Sequence, residues 1–199
     1  MADRMNGYID SEFDKSIRLL NAMSSDAALR ELVQRTVELS VAALKRGNKL
    51  LFAGNGGSAA DAQHWAGELV SRFNFDRPGL AAIALTTDTS ILTAIGNEYG
   101  YDYVFARQVE ALGRSGDLLF AISTSGNSKN IVRAILAARA AGIGAIGFTG
   151  QSGGAMAELC DVCFRMPSGE TPKVQEGHEF LGHLICGLIE HEIFTDAKG

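Results

Sequence analysis

Short apolar runs alternate with helical patterns along most of this chain, and this alternation limits the possible folds more than any other feature. Apolar runs of four to six residues predict five strands, at Lys49–Ala53, Ala81–Leu85, Asp117–Ile122, Ile143–Phe148 and Val162–Met166. Helical periodicity fills most of the sequence between them. Strands that are apolar along their whole length and separated by helices are typical of a parallel sheet covered on both faces. The sequence therefore predicts an α/β fold, a three-layer α-β-α sandwich with a five-stranded parallel sheet.

Two helices are predicted ahead of the first strand. The segment from about Tyr8 to Met23 carries an apolar residue every three or four positions, at Ile9, Phe13, Ile17 and Leu20. A second helix is predicted from Asp26, a candidate N-cap, to Lys45. We expect residues 1–47 to form an N-terminal helical hairpin that covers the sheet or packs on another subunit. Residues 48–199 are expected to form the α/β core of the same single domain.

Charge and cysteine content exclude several classes of function. The 199 residues include 18 Lys and Arg against 23 Asp and Glu, so the chain lacks the basic excess with which nucleic-acid-binding proteins neutralise phosphates. No apolar run approaches the roughly 20 residues of a membrane-spanning helix. We therefore expect neither a nucleic acid nor a membrane as a partner.

Three cysteines are too few for a disulfide scaffold, which favours a reducing cytoplasm. Cys160 and Cys163 have the spacing of half a zinc site, and without a second pair we interpret them as buried thiols.

A glycine-rich loop follows the first predicted strand and opens a helix. In Gly54-Asn55-Gly56-Gly57-Ser58-Ala59, glycines allow the backbone to approach a ligand closely, and the helix N-terminus offers N–H groups to an anion. The segment also satisfies the G-x-G-x-x-A pattern of dinucleotide sites, with Asp76 near the place of the ribose-binding acid. A tight strand-to-helix turn without a ligand is a third interpretation. This loop alone does not decide among the three.

A second loop, Ser123-Thr124-Ser125-Gly126-Asn127-Ser128, also follows an apolar strand and opens a helix. Its four hydroxyls and backbone N–H groups form a neutral set of donors that suits a phosphate dianion. A helix cap would need only one of these hydroxyls, and a dinucleotide site needs no second loop of this kind. Because the carboxyl ends of parallel strands meet at one edge of the sheet, the two loops are expected to share one ligand. The favoured ligand is a phosphorylated small molecule. The glycines at 150, 153 and 154 are interpreted as a turn without chemistry.

Histidine and glutamate side chains form a candidate metal site. His64 and Glu68 are four residues apart and so share one face of the helix after the first loop. Near the C-terminus the sequence places Gln175, Glu176, His178, His183 and His191. Imidazole, carboxylate and amide oxygen ligands suit Zn²⁺ in a site that keeps room for substrate. The alternatives are a surface His–Glu pair and, for His183, a core histidine among apolar neighbours.

These motifs resemble the SIS (sugar isomerase) domain family and, within it, the phosphoheptose isomerases. The resemblance covers nearly the whole chain and is carried by AGNGGSAADAQHWAGE (53–68), LTTDTSILTAIGNEYG (85–100), ISTSGNSKNIV (122–132), GFTGQSGG (147–154) and TPKVQEGHEFLGH (171–183). It implies isomerisation of sedoheptulose 7-phosphate to D-glycero-D-manno-heptose 7-phosphate, the first step toward nucleotide-activated heptose for bacterial surface glycans such as lipopolysaccharide. It also implies a homotetramer with active sites between subunits.

The resemblance assigns roles to individual residues. Substrate would be held at the first loop by Asn55, Gly56, Gly57 and Ser58, and its phosphate at the second by Ser123, Thr124, Ser125 and Ser128. One Zn²⁺ per subunit would be bound by His64, Glu68, Gln175 and His183. Asn97 and Glu98 match an Asn-Asp pair that contacts the sugar, with Glu98 as a departure that is one methylene longer. Glu68 and Gln175 also fall among the expected substrate contacts.

Ketose–aldose isomerisation requires a base, an acid and stabilisation of a developing oxyanion. We expect Glu68 to abstract the proton and His183 to act as acid and base on the opposite side of the sugar. Gln175 and His183 would lie about 12 Å apart along one straight helix. We therefore expect the chain at Thr171–Gln175 to be irregular, so that both side chains can reach one ion. The alternatives are a non-catalytic SIS protein (a sugar-phosphate sensor or an adaptor that binds the replication initiator) and a dinucleotide oxidoreductase.

Overall fold

The computed structural model describes residues 1–195. The N-terminal half contains α1 (Ala2–Ser25), α2 (Ala27–Lys45), β1 (Leu50–Gly54), α3 (Gly57–Val70), β2 (Ala82–Ala84) and α4 (Thr89–Glu98). A 3₁₀ turn at Tyr101–Tyr103 leads to α5 (Ala106–Leu112), β3 (Leu118–Ile122) and α6 (Lys129–Ala140). The C-terminal part contains β4 (Gly144–Thr149), α7 (Met156–Leu159), β5 (Val162–Arg165) and α8 (Thr171–Phe194). None of the described helices is both long and apolar enough to cross a membrane.

The five strands form one parallel sheet in the order β2-β1-β3-β4-β5. The central strands β1 and β3 are buried along their whole length, which explains why their sequences are apolar at every position. Leu50 and Phe52 belong to the core on one face, and Leu51 and Ala53 to the core on the other. The predicted five-stranded α-β-α sandwich is therefore confirmed.

Strand order places the glycine-rich loop and the hydroxyl-rich loop side by side. β1 and β3 are neighbours in the sheet, and Gly54 is paired with Ile122. The glycine-rich loop and the hydroxyl-rich loop start directly after these two paired residues. Because the strand order reverses between β1 and β3, a crevice opens at their carboxyl ends, which is the usual ligand site of such sheets.

The final helix begins earlier than the sequence analysis expects. α8 is a regular α-helix from Thr171, so the prediction of an irregular segment at Thr171–Gln175 is wrong. Pro172 lies in the first turn, where its fixed φ favours helix and its missing N–H is not needed. The chain therefore enters α8 without a kink, and Gln175 stands two turns before His183 on the same face.

The two N-terminal helices are present, and Asp26 caps α2 as predicted, because its side chain accepts a hydrogen bond from the Leu29 N–H. The face of α1 that packs toward α8 carries both polar and apolar side chains. Its polar contacts pair Lys15 with Glu170, Ser16 with Glu176 and Glu12 with Lys173. The apolar residues at Tyr8, Ile9, Phe13, Ile17 and Leu20, which we call the apolar stripe of α1, are all exposed.

Candidate active site

The glycine-rich loop is shaped by a backbone conformation that only glycine adopts readily. Gly56, the residue before α3, has φ +56° and ψ −122°. Beside it the Asn55 amide forms a reciprocal pair with Asn130 at the start of α6, with N···O distances of 2.8 and 3.0 Å. The Tyr101 hydroxyl donates to Asn55 Oδ1 at 3.1 Å. Hydrogen bonds thus join the glycine-rich loop to the helix that follows the hydroxyl-rich loop.

The hydroxyl-rich loop forms a cluster of short polar side chains. Ser123 Oγ lies 2.9 Å from Ser128 Oγ and 3.4 Å from Ser125 Oγ. Thr124 and Ser125 line a cavity of about 590 Å³, together with Asn127, Gly150, Gln151, Ser152, Ser168, Gly169, Thr171 and Val174. Hydroxyls and backbone N–H groups around a cavity of this size can hold a phosphate group without a full positive charge.

The turn at residues 150–154 contributes to this cavity, although the sequence suggested a turn without chemistry. Gly150, Gln151 and Ser152 are part of the lining. Gly126 has φ +66°, and a Cβ built there would overlap the Gly153 carbonyl. The same close approach is visible from Gly154, whose Cβ would overlap Ser125 and Gly126. Glycines on both sides therefore let the turn pack against the hydroxyl-rich loop.

Four side chains from α3 and α8 meet beside a second cavity, and we call them the His/Glu cluster: His64, Glu68, Glu179 and His183. His64 Nε2 lies 2.8 Å from His183 Nε2, 3.3 Å from Glu179 Oε1 and 3.4 Å from Glu68 Oε1. Glu179 Oε1 is also 3.2 Å from His183 Nε2. The cavity measures about 680 Å³, and its lining includes His64, Glu68 and Arg72. Two elements distant in sequence thus concentrate imidazoles and carboxylates at one point.

Glu179 is the member of the cluster that the sequence analysis missed. It stands four residues before His183, the same spacing that drew attention to His64 and Glu68. The Trp65 indole N–H donates to Glu179 Oε2 at 3.0 Å and leaves Oε1 facing both histidines. The i, i+4 spacing of Glu179 and His183 could therefore have identified Glu179 as a candidate. Only the packing of α3 on α8 shows that Glu179 reaches the cluster.

The donor set fits a zinc ion. Bond lengths of about 2.0–2.2 Å in tetrahedral geometry place ligand atoms about 3.3 Å apart. Ligand atoms of His64, Glu179 and His183 lie within 4.8 Å of one another. The separations of 3.2–3.4 Å that involve carboxylates match this value, whereas the two histidine nitrogens, at 2.8 Å, would have to move apart to bind one ion. Imidazole nitrogen and carboxylate oxygen are both ordinary zinc ligands.

Four further residues that were expected at the site also lie outside this cluster. A Cβ built on Gly57 would overlap the Gln175 amide, so Gln175 is directed at the start of α3. Asn97 and Glu98 end α4, are exposed and are joined by a hydrogen bond of 3.1 Å from Asn97 Nδ2 to Glu98 Oε1. Within residues 1–195, neither makes a hydrogen bond to the two loops. Ser58 is buried beneath the glycine-rich loop in the first turn of α3.

Burial changes the pKa of one carboxyl group beside the site and of two thiols elsewhere in the fold. It raises the pKa of Asp61, one turn before His64, to about 6, and the negative charge of Glu179 adds to this effect. Burial also raises the pKa of Cys160 to about 12 and that of Cys163 above its usual value. Both thiols are free and protonated at neutral pH, and they are half-buried rather than fully buried as the sequence predicts.

Comparisons with known proteins identify the family. The family model described as SIS domain matches residues 13–150. A phosphoheptose isomerase of Burkholderia pseudomallei (strain 1710b) is 56% identical over 194 residues, which cover 98% of each chain. The solved phosphoheptose isomerase of Neisseria gonorrhoeae superposes with a TM-score of 0.87 at 43% identity, covering 94% of this chain and 98% of that one. The one from Francisella tularensis gives 0.85 at 37% identity, covering 96% and 98%. The chain therefore belongs to the SIS-domain family and, within it, to the phosphoheptose isomerases, which are enzymes.

Proposed function

We propose that this enzyme converts sedoheptulose 7-phosphate into D-glycero-D-manno-heptose 7-phosphate. The proposal rests on one observation, which is that two different sites lie next to each other at the same edge of the sheet. A hydroxyl-rich loop suited to phosphate starts beside the glycine-rich loop that opens α3, and the His/Glu cluster lies further along α3. A phosphorylated sugar bound across this edge would present its phosphate to one site and its reacting carbons to the other.

Uncharged groups hold the phosphate of the substrate in this proposal. The phosphate is held by the hydroxyls of Ser123, Thr124, Ser125 and Ser128. The sugar lies against Asn55, Gly56, Gly57 and Ser58, with Gln175, Asn97 and Glu98 as further contacts. The cluster of Ser123, Ser125 and Ser128 oxygens supports the first assignment, and the φ of Gly56 supports close backbone approach in the second. This explains how a chain with a net charge of −5 can bind an anion.

Glu68 and His183 carry out the proton transfers. The reaction removes a proton from C1 of the ketose and returns one to C2, while a hydroxyl proton moves from O1 to O2. Glu68 is the base that takes the first proton, and His183 on the facing helix serves the oxygens as acid and base. Their common neighbour His64 supports this arrangement, since it lies 3.4 Å from Glu68 and 2.8 Å from His183. A positioned acid or base typically contributes about 10²–10⁴-fold to the rate.

His64, Glu68 and His183 would hold one Zn²⁺ per subunit. Because a carboxylate bound to zinc is a weaker base, Glu68 would alternate between the roles of ligand and base. When bound, the ion supplies Lewis-acid stabilisation of the negative charge that develops on the sugar oxygen. The fourth ligand is Gln175 by family resemblance, whereas Glu179 is the side chain that lies within the cluster. Zinc affinities of Gln175→Ala and Glu179→Ala distinguish the two, because the variant that removes a ligand will lose affinity far more strongly than the other.

A homotetramer in the cytoplasm, with active sites between subunits, completes the proposal. The exposed apolar stripe of α1 supports assembly. The side chains of His64 and His183 are 45% and 42% exposed, which leaves the His/Glu cluster open on a surface that another subunit could cover. The non-catalytic alternative needs only the phosphate site, and nothing in such a binder would require the His/Glu cluster.

The test is NMR spectroscopy of sedoheptulose 7-phosphate incubated with the Zn²⁺-loaded protein, with and without a chelator. We expect aldose signals that disappear on chelation and return when Zn²⁺ is added. Glu68→Gln should abolish turnover while binding of the sugar phosphate, measured by calorimetry, changes little. An unchanged spectrum with wild-type protein and metal would favour the binder, and near-normal kcat in Glu68→Gln would remove Glu68 from its role as base.

A further inference from the structure

A buried ion pair lies next to the His/Glu cluster and is not explained by substrate or metal binding. Arg77, in the segment between α3 and β2, donates from Nε to Glu190 Oε1 of α8 at 2.9 Å. The side chains are only 2% and 0% exposed. Glu190 stands seven residues after His183, two helical turns along the same face of α8. The pair therefore joins the end of α3 to α8 directly beyond the cluster.

Arg77 caps the C-terminus of α3. The last carbonyls of a helix have no partners within the helix. Arg77 Nη2 donates to the carbonyl of Glu68 at 2.8 Å, and Nη1 donates to the carbonyl of Leu69 at 2.7 Å. The backbone of Glu68, the proposed base, is thus held by the same guanidinium that pairs with Glu190.

Glu190 binds the segment after α3 that contacts His183. Its carboxylate accepts hydrogen bonds from the N–H groups of Phe73 and Asn74 at 2.8 and 2.7 Å. The Phe73 ring packs on His183, with ring centroids 5.5 Å apart. Burial raises the pKa of Glu190, but the two backbone N–H groups and Arg77 outweigh burial and lower it, so the carboxylate stays charged at neutral pH. One carboxylate therefore fixes both the loop after α3 and the aromatic neighbour of His183.

A gain in stability does not by itself explain why the Arg77–Glu190 ion pair is buried at this position. Exchanging a buried ion pair for apolar residues is often neutral or stabilising, because removing two charges from water costs as much as their attraction returns. What the apolar exchange cannot supply is a set of directed hydrogen bonds to Glu68, Leu69, Phe73 and Asn74. We propose that Arg77 and Glu190 are positioning residues that set the placement of Glu68 and His183 across the α3–α8 junction.

The proposal rests on the proposed function for its kinetic readout, and zinc binding gives an independent one. The test compares the neutral pair variant Arg77→Met/Glu190→Gln with Lys49→Met/Asp117→Asn. Asp117 is a matched control, since it is also buried, pairs with a lysine and accepts from the N–H groups of Lys49 and Arg114. It lies at the amino end of β3, about 16 Å of strand away from the site edge.

We expect the Arg77/Glu190 variant to lose about 10–100-fold in Zn²⁺ affinity, measured by competition with a chelating dye. A loss of this size is usual when groups that orient metal ligands are disturbed. We expect kcat to fall by a similar factor at nearly unchanged KM. The Lys49/Asp117 variant should lose stability while keeping both values. If the double variant does not fold, Glu190→Gln alone, which retains the shape of the side chain, gives the same comparison.

Zinc affinity and kcat within twofold of wild type, or equal losses in the control, would overturn the proposal. If wild-type protein binds Zn²⁺ without converting the sugar phosphate, the proposed function fails, and the zinc affinities of the two variants still decide the role of Arg77 and Glu190.

Discussion

His178 and His183 lie five residues apart on α8 and have opposite environments. His183 is exposed at the His/Glu cluster, whereas His178 is fully buried and packs edge-on against Phe148. His178 Nε2 donates to the Thr149 carbonyl at 3.1 Å, and its Nδ1 finds no partner among the described residues. Burial lowers the pKa of His178 to about 4. The core-histidine interpretation that the sequence left open for His183 therefore applies to His178.

The low pKa of His178 predicts a loss of stability in mild acid. Below pH 6.5 the unfolded chain binds a proton on this ring and the native protein does not, so the free energy of unfolding falls as the pH is lowered toward 4. Between pH 7 and pH 5 the contribution is about 2 kcal/mol. Urea unfolding of metal-free wild type and His178→Gln at both pH values measures it, because the glutamine keeps a donor and does not titrate. Equal pH dependence in the two proteins would contradict the assignment.

At the scale of elements, the α3–α8 contact decides the geometry of the site. A Cβ built on Gly182 would overlap the Trp65 indole, whose N–H holds Glu179. Gly182→Ala should therefore force α3 and α8 apart, lower the free energy of unfolding by about 1–3 kcal/mol and weaken Zn²⁺ binding. Denaturant unfolding and dye competition measure the two effects.

Gly96→Ala in α4 is the control for Gly182→Ala. Nothing lies within 4 Å of a Cβ at Gly96, so we expect alanine to raise stability by up to about 1 kcal/mol, as it does in open helix positions. A Gly182→Ala protein as stable as Gly96→Ala, with wild-type zinc affinity, would show that the helices do not need this close contact.

The same contact explains what the sequence could and could not predict. The two loops were predictable because each directly follows an apolar strand, and parallel strands bring such loops to one edge. His64 and Glu68 were predictable because their spacing places them on one face. The role of Glu179 depends on how α8 is rotated against α3, which periodicity within one helix does not determine. We assumed that Gln175 and His183 bind the same ion and therefore predicted an irregular segment before Gln175. The helix is in fact regular from Thr171, so this prediction was wrong.

At the scale of the whole molecule, α1 buries only part of its apolar surface, because Leu19 and Met23 reach the core while the apolar stripe stays exposed. Its contacts with α8 include Lys15 and Ser16, both with polar partners, while Tyr8 and Phe13 of the apolar stripe are 69% and 66% exposed. Below the stripe, an apolar groove between α1, α2 and α8 is also open, with Phe180 and Leu184 exposed in its lining. Apolar surface of this extent is typical of a face that another protein surface covers.

Assembly through this face predicts a mass in solution of about four times the 21.1 kDa of one chain, measured by light scattering on a sizing column. Phe13→Glu places a charge in the middle of the apolar stripe and should break the tetramer into smaller species. Ser11→Glu is the matched control, because it adds the same charge to an exposed position on another side of α1. If active sites form between subunits, kcat should fall together with the mass in Phe13→Glu and stay near wild type in Ser11→Glu. A Phe13→Glu protein that remains tetrameric, or a fully active monomer, would contradict this assembly.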